Sequence, residues 1–246
     1  MTASIERIED SGFEAWSPDE TTVIAGWTVA SSGGFTRRLN SASSRGTADT
    51  SLATRDAIAA WLAARGATLT VRVTPLMDER FVGDCARKWD LVSLDETIVM
   101  VRNPLLNGDY SDVATVDADD PAYTSDLFDL NRRAPSVRAS WDRIVERIRT
   151  DAVGLWIPGR AVGFTVVRRG VSSVFSVAVR EQDRRTGLAT SIMSASAAWA
   201  MDRRSDWQFV QVLGTNRPAI ELYEKLGFTE RYRYRYLQAP PVRISA

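Results

Sequence analysis

The sequence predicts an α/β protein, α+β in detail with mixed sheets, and three observations predict it. Helical and strand periodicities alternate along all 246 residues. The second half reads β-β-β-α-β-α-β. A helix-and-strand pattern in the first half recurs in the second at one fixed offset.

The elements follow in order. Thr21 to Ala30 alternates as a strand does and runs into the Ser/Gly turn at Ser31 to Gly34, with a second polar segment through Ser44. Thr50 to Ala64 places Leu52, Ile58, Ala59 and Leu62 at helical spacing. Leu69 to Thr74 is a strand, Leu76 to Lys88 a helix, and Asp90 to Arg102 a strand or hairpin. Asn103 to Pro121 carries Asn-Pro, Asn-Gly and several aspartates, which marks a boundary. Residues 1–103 are thus expected to form a first lobe, 104–120 a linker and 121–246 a second domain.

In that second domain helices are expected over Tyr123 to Asn131 and Val137 to Thr150. Strands follow over Ala152 to Ile157, Val162 to Arg168 and Val174 to Val179, with Pro158-Gly159 and Arg169-Gly170 at hairpin positions. A helix from Gly187 to Arg203, a strand from Phe209 to Leu213, a helix from Arg217 to Leu226 and a strand from Glu230 to Leu237 complete the series. Val71 falls on Val210, Val73 on Val212, Trp89 on Phe228 and Ile98 on Leu237, each at an offset of 139 residues. We read this as a duplication; two unrelated α/β lobes are the alternative.

Composition narrows the chemistry. Basic and acidic residues balance at 31 each, so the overall field gives no reason to expect a nucleic acid or an anionic membrane as partner. The lone cysteine, Cys85, forms no intrachain disulfide, and the absence of histidine excludes a Cys/His zinc site and any Ser-His or Cys-His nucleophile. No metal is expected. A general base must then be a carboxylate, a tyrosinate, a cysteine, a water or an amine. With neither a signal-like apolar region nor an apolar run of ~18 residues, the expected location is cytoplasmic.

Two stretches carry specific chemistry. The first is Arg184-Arg185-Thr186-Gly187-Leu188-Ala189, with Thr190, at a helix start. A helix N-terminus offers free N–H groups and the positive end of its dipole to an anion. Gly187 and Ala189 leave those amides accessible, and Arg184 and Arg185 add charged donors. The second is Asn216, Ala219, Leu222, Tyr223, Gly227 and Phe228 after a strand. Asn216 serves either a bound ligand or the helix cap, Gly227 ends the helix, and Phe228 enters the core.

Together, Val177 to Ala189 and Asn216 to Phe228 resemble the two signature regions of the GNAT superfamily of N-acetyltransferases. The resemblance implies a GNAT fold and a transferase that moves an acetyl group from acetyl-CoA to a primary amine by direct attack in a ternary complex. It implies that the pyrophosphate of coenzyme A lies on the Arg184 to Thr190 segment and the pantetheine along Val177, Ala178 and Val179. One backbone N–H there would hold the thioester carbonyl, and the Tyr223 hydroxyl would protonate the leaving thiolate. The run departs from the family at Glu181, where many members carry proline. The acceptor would be a small-molecule or peptide amine. A catalytically silent acyl-CoA-binding module is the alternative.

No carboxylate occurs between Val174 and Val179, so no base is named; Asp126, Asp129, Glu181 and Glu221 are candidates that solvated surface explains better. On the 139-residue register Gly187 falls near Ala48, Asn216 on Met77 and Tyr223 on Asp84. The first half then reads as a degenerate GNAT-like lobe of a tandem protein, a scaffold or an acceptor-side wall. Its Gly26 to Val29 and Gly33 to Ser41 segments resemble the N-terminal part of two-lobed bacterial GNAT proteins. There Arg37 and Arg38 either bind an anionic group of the acceptor or belong to a structured hairpin.

Overall fold

The computed structural model describes residues 4–106 and 108–240. The chain opens with helix α1 (Ile5–Trp16), strands β1 (Glu20–Ile24), β2 (Trp27–Ser31) and β3 (Ser41–Ser43), helix α2 (Leu52–Ala63), strand β4 (Thr70–Val73) and helix α3 (Glu79–Lys88). Strands β5 (Val92–Ser93), β6 (Thr97–Arg102) and β7 (Ala114–Val116) follow, then helices α4 (Pro121–Leu130) and α5 (Arg138–Ile148). The rest runs β8 (Ala152–Ile157), β9 (Ala161–Arg168), β10 (Val171–Val179), α6 (Leu188–Asp202), β11 (Trp207–Leu213), α7 (Arg217–Lys225) and β12 (Thr229–Gln238).

Contacts divide the chain into two units, each assembled from two segments: Met1–Ser17 with Ile98–Arg231, and Pro18–Thr97 with Tyr232–Ala246. The sequence reading drew consecutive stretches instead. Helix α1 belongs to the larger unit although it precedes the whole smaller one, and the last strand passes from one unit to the other at Arg231. The 104–120 stretch, expected as a linker, contributes β7, which pairs antiparallel with β8 from Ala114↔Trp156 to Val116↔Gly154.

In the larger unit the strand order is β6-β11-β10-β9-β8-β7. One face carries an aromatic core in which Trp16 packs on Phe164 and Phe175, and Trp141 on Phe164. Burying each such ring is worth roughly 1.5–3 kcal/mol. Helix α6 presses on the sheet so closely that a Cβ on Gly163 would stand 2.5 Å from Ile192. The glycine therefore sets the depth of α6. Helix α1 was not anticipated, because its buried stripe is Ile8, Ser11, Gly12, Ala15 and Trp16, in which small residues hide the helical period. Close approach demands them: a Cβ on Gly12 would lie 3.3 Å from the Phe209 ring.

In the smaller unit the order is β1-β2-β3-β4-β12, with β5 also pairing β12. The single strand expected over Thr21 to Ala30 is a hairpin paired from Glu20↔Ser31 to Ile24↔Trp27. Ala25 and Gly26, both at positive φ, supply its two-residue turn, a geometry that glycine makes accessible. Trp27, Phe81 and Trp89 stack at the centre of this unit's core, beneath α2 and α3. The alternating apolar and polar pattern that suggested strands and helices is thus satisfied in each unit by its own sheet and its own helices.

Candidate cofactor and catalytic site

The site begins with an irregularity in β10. Against β9 the pairing shifts between Phe175↔Phe164 and Ala178↔Val162, so β10 carries one extra residue, a β-bulge. Ser176 sits in it at φ 55°. Helix α4 pins the bulge: the Asn131 side-chain amide donates to the Ser176 carbonyl at 3.1 Å, and Arg133 donates to the Ser176 hydroxyl at 3.2 Å. Burial lowers the pKa of the Arg133 guanidinium. Neither residue was anticipated from sequence, since both follow a helix in a loop and act on a residue more than 40 positions away.

On its other edge β10 pairs in parallel with β11 only from Val171↔Trp207 to Val174↔Val210. Both strands continue beyond that point, β10 to Val179 and β11 to Leu213. Val177, Ala178 and Val179 therefore lie past the end of the parallel ladder, half-buried. Val177 and Val179 pack with Leu188 and Tyr110 beside the apolar cluster around Ile192.

After β10 the chain makes a short 3-10 turn over Glu181–Asp183 and enters α6. Its acidic side chains are committed: Asp183 is paired with Arg160 at 3.0 Å and Glu181 approaches Arg132 at 3.9 Å. Thr186 donates its hydroxyl to the Asp183 carbonyl at 2.6 Å, and Arg184 Nε reaches the Val179 carbonyl at 3.5 Å. Arg184, Arg185 and Thr186 are exposed. Gly187, at φ 92°, is the N-cap and supplies no side-chain bond. The first backbone bond of the helix runs from Ser191 N–H to the Gly187 carbonyl. The N–H groups of Leu188, Ala189 and Thr190 thus precede the helical ladder. A Cβ placed on Gly187 would meet nothing within 4 Å, so the space beside the N-cap itself is open.

The third part is α7. Asn216 caps it, its side-chain oxygen accepting from Ala219 N–H at 3.3 Å, so the capping alternative is realised. At the other end Gly227 takes φ 84° and Phe228 N–H returns to the Tyr223 carbonyl at 3.0 Å, a Schellman-type stop. Tyr223 is 8% exposed and stands edge-on to Phe228, ring centroids 5.7 Å apart. Burial raises its pKa to about 12, which keeps the phenol protonated at neutral pH. Val177 and Tyr223 belong to one apolar neighbourhood. That neighbourhood connects the strand past the ladder's end to the candidate acid.

Comparison with known proteins bears on the family and the fold. Residues 2–237 match the family described as "Probable histone acetyltransferase Rv0428c C-terminal". An N-alpha-acetyltransferase of Sulfurisphaera tokodaii is 35% identical over 115 residues, 40% of this chain and 68% of that protein. The chain belongs to the GNAT superfamily. Another N-alpha-acetyltransferase, from Saccharolobus solfataricus, is 36% identical over 89 residues, covering 33% of this chain and 52% of its own length. Among solved structures, a GCN5-related N-acetyltransferase from Kribbella flavida superposes with a TM-score of 0.72 over 99% of this chain and 98% of its own, at 15% identity. A tandem GNAT protein from the clavulanic acid biosynthesis pathway gives 0.59 over 96% and 88%, at 12% identity. The likeness extends over both units, and the chain is an acyltransferase enzyme of this superfamily.

As a GNAT protein with two lobes, the chain allows its halves to be compared residue by residue. The 139-residue offset sets Tyr223 opposite Asp84, but the helix caps correct this. Leu91 N–H returns to the Ala86 carbonyl at 2.9 Å with Asp90 at φ 52°, the counterpart of Phe228, Tyr223 and Gly227. The offset has slipped to 137 there, and Ala86 stands where Tyr223 stands. The first lobe has no acid at that position.

Other sequence candidates find structural places. Asp126 accepts from the Trp156 indole at 2.7 Å and from Gly159 N–H at 2.6 Å, which fixes the β8–β9 turn. Asp129 and Glu221 are exposed. Arg38 donates to the Tyr234 hydroxyl at 3.2 Å, and Arg37 lies 6.0 Å from the Tyr236 ring centroid. Asn40 accepts from Ser32 and Gly34 N–H and donates to the Thr36 carbonyl. The Arg37 to Ser41 run is thereby a hydrogen-bonded turn of the smaller unit.

Proposed function

We propose that the protein transfers the acetyl group of acetyl-CoA to a primary amine in a ternary complex. The observation that carries this reading is the conjunction, in one unit, of an uncapped α6 N-terminus, a strand whose pairing with its parallel neighbour ends while both strands continue, and a buried protonated tyrosine. The amides of Leu188, Ala189 and Thr190 would receive the pyrophosphate, and Arg184 and Arg185 would neutralise it. The exposed position of both arginines and the open space at Gly187 fit a bulky anion. Val177, Ala178 and Val179 would line the pantetheine, with one of their N–H groups donating to the thioester oxygen as negative charge develops there. Asn216 spends its carbonyl oxygen on the α7 cap and keeps its amide donors for the same arm.

In the reaction the neutral amine nitrogen forms a bond to the thioester carbon, the carbon–sulfur bond breaks, and the nitrogen loses one proton to water. Tyr223 gives its hydroxyl proton to the departing sulfur and regains one from solvent. The curated relatives' name supports testing a free peptide N-terminus first among acceptors. Polyamines, amino acids and aminoglycosides form the rest of the panel. The same proposal places the enzyme in the cytoplasm with soluble amines as acceptors; among the described residues no helix is long and apolar enough to cross a membrane. The deciding experiment measures CoA release from acetyl-CoA across that panel. Release that depends on the amine supports the reading, and none with any amine would sink it.

A further inference from the structure

Beneath the site lies a buried cation that the reaction as described does not use. Arg102 is the last residue of β6, a strand whose six residues are all buried, and it is 5% exposed. A guanidinium in such a place is costly unless every direction of its fork meets an acceptor. Three directions lead to three elements. Nε donates to the Gln208 side chain on β11 at 2.9 Å, Nη1 to the Leu226 carbonyl at the end of α7 at 2.7 Å, and Nη2 to the Met193 carbonyl on α6 at 3.5 Å. The face of the same group lies 4.4 Å from the centroid of the Phe228 ring, within cation–π range. Phe228 is the ring against which Tyr223 packs.

The bonds continue. Gln208 donates to the Ser196 hydroxyl on α6 at 2.9 Å, and Ser196 shares a 2.8 Å bond with Thr165 on β9. A polar chain thus crosses the buried underside of α6 and ends at the last turn of α7. Helix α7 has nine residues, and its final carbonyls have no partners within the helix. Arg102 satisfies one of them and braces the ring behind Tyr223. Desolvation lowers its own pKa to about 10, which leaves the group charged at neutral pH.

We propose that Arg102 is a positioning residue: resting on the reading of Tyr223 as the acid, it fixes the phenol relative to α6, the helix whose other end receives coenzyme A. Packing alone would be served by an apolar side chain of similar volume. A planar fork that bonds three elements at once holds an orientation, which lysine, with its compact ammonium, does not reproduce.

The test is a double-mutant cycle on kcat, measured with acetyl-CoA and the best amine found for the wild type. Arg102→Lys lowers kcat about 10-fold or more, as expected when a catalytic group is misplaced by a fraction of an ångström to one ångström, while acetyl-CoA affinity stays within about 2-fold. In the Tyr223→Phe background the same change lowers kcat by less than about 2-fold, because the group being positioned is gone. An equal loss in both backgrounds, or no loss in either, overturns the proposal. If Tyr223→Phe alone leaves kcat unchanged, the acid reading fails first and the proposal falls with it. Gln208→Met, which removes one acceptor and leaves the guanidinium in place, carries the same comparison should the lysine variant not fold. Independently of turnover, fluorine NMR of 3-fluorotyrosine-labelled protein should show the Tyr223 resonance shift or broaden in Arg102→Lys. An unchanged resonance counts against Arg102 as its brace.

Discussion

Helices α6 and α2 start in opposite ways. In the larger unit α6 begins at Gly187 with no side chain on its first amides. In the smaller unit α2 begins at Ser51, whose hydroxyl accepts from Thr54 N–H. Asp49 accepts from the Ser51 amide and from the Ser51 and Thr54 hydroxyls. These bonds, Ser51's first, lower the Asp49 pKa and hold a carboxylate at the start of α2, while α6 has no side-chain cap. Helix α3 is likewise closed, by Asp78 on Phe81 N–H. The same electrostatics of a helix end thus meets an internal carboxylate in the smaller unit and, under the proposed function, would meet an external anion in the larger one. The difference teaches that the start of α2 is closed by the smaller unit's own carboxylate, whereas the start of α6 has no side-chain cap.

Several substitutions would break or sharpen this contrast. The largest effect is expected from Tyr223→Phe, which should lower kcat about 100-fold, the lower range for removal of a general acid, with acetyl-CoA affinity retained in equilibrium binding. Retained kcat would leave the two units alike in lacking an acid. Next comes Ala189→Asp, which gives α6 an internal anion of the kind α2 has. A carboxylate in the first turn favours the helix by about 0.3–1 kcal/mol, so thermal stability should hold or rise. The acetyl-CoA KM should meanwhile increase by about 10-fold or more, as one misplaced like charge near the pyrophosphate predicts. Unchanged KM would place the phosphates elsewhere.

The reverse change acts on stability alone. Removing the caps of the smaller unit by Ser51→Ala or Asp78→Ala should cost about 1 kcal/mol each in denaturant unfolding, with acetyl-CoA KM unaffected. A change in KM would mean that the smaller unit's helix ends take part in cofactor binding after all. The last effect appears only at alkaline pH. Tyr223 has its pKa raised by burial to about 12, above the ordinary phenol value near 10. Its neutral form is therefore favoured in the folded state. That contribution is fully present below about pH 10 and is lost as pH rises from 10 toward 12. Unfolding free energy of the wild type, less that of Tyr223→Phe, should decline across this window. A flat difference would mean that the phenol is solvated.

Much of the fold was legible because its elements repeat with simple periods. Ala152–Ile157 was read residue for residue, and α6, α7 and β11 within two residues at either end, since each has a buried face and a glycine, proline or polar cap at its limits. Helix α1 escaped because serine, glycine and alanine form most of its buried stripe. The hairpin at Ala25-Gly26 was read as one strand because a two-residue turn barely interrupts the alternation. The site divides in the same way. Gly187 and the arginines before it were nominated as an anion cradle from residue type and spacing, and Tyr223 as an acid from the family resemblance. Asn131, Arg133 and Arg102 were not, because each acts on a partner brought near only by folding.

The sequence by itself determined the superfamily and most elements of the second half, and it nominated the residues proposed to face the cofactor, because those rest on local period and on motifs within a few turns of chain. Only the tertiary structure decided that β10 outruns its parallel ladder after Val174, that a bulge at Ser176 redirects the strand, and that Asp49 closes α2 while α6 stays open. It also decided that Ala86, not Asp84, stands in the place of Tyr223. These features are set by pairing between strands and by hydrogen bonds between side chains distant in sequence, whose free energies depend on who the neighbour is. No local window of residues contains that neighbour.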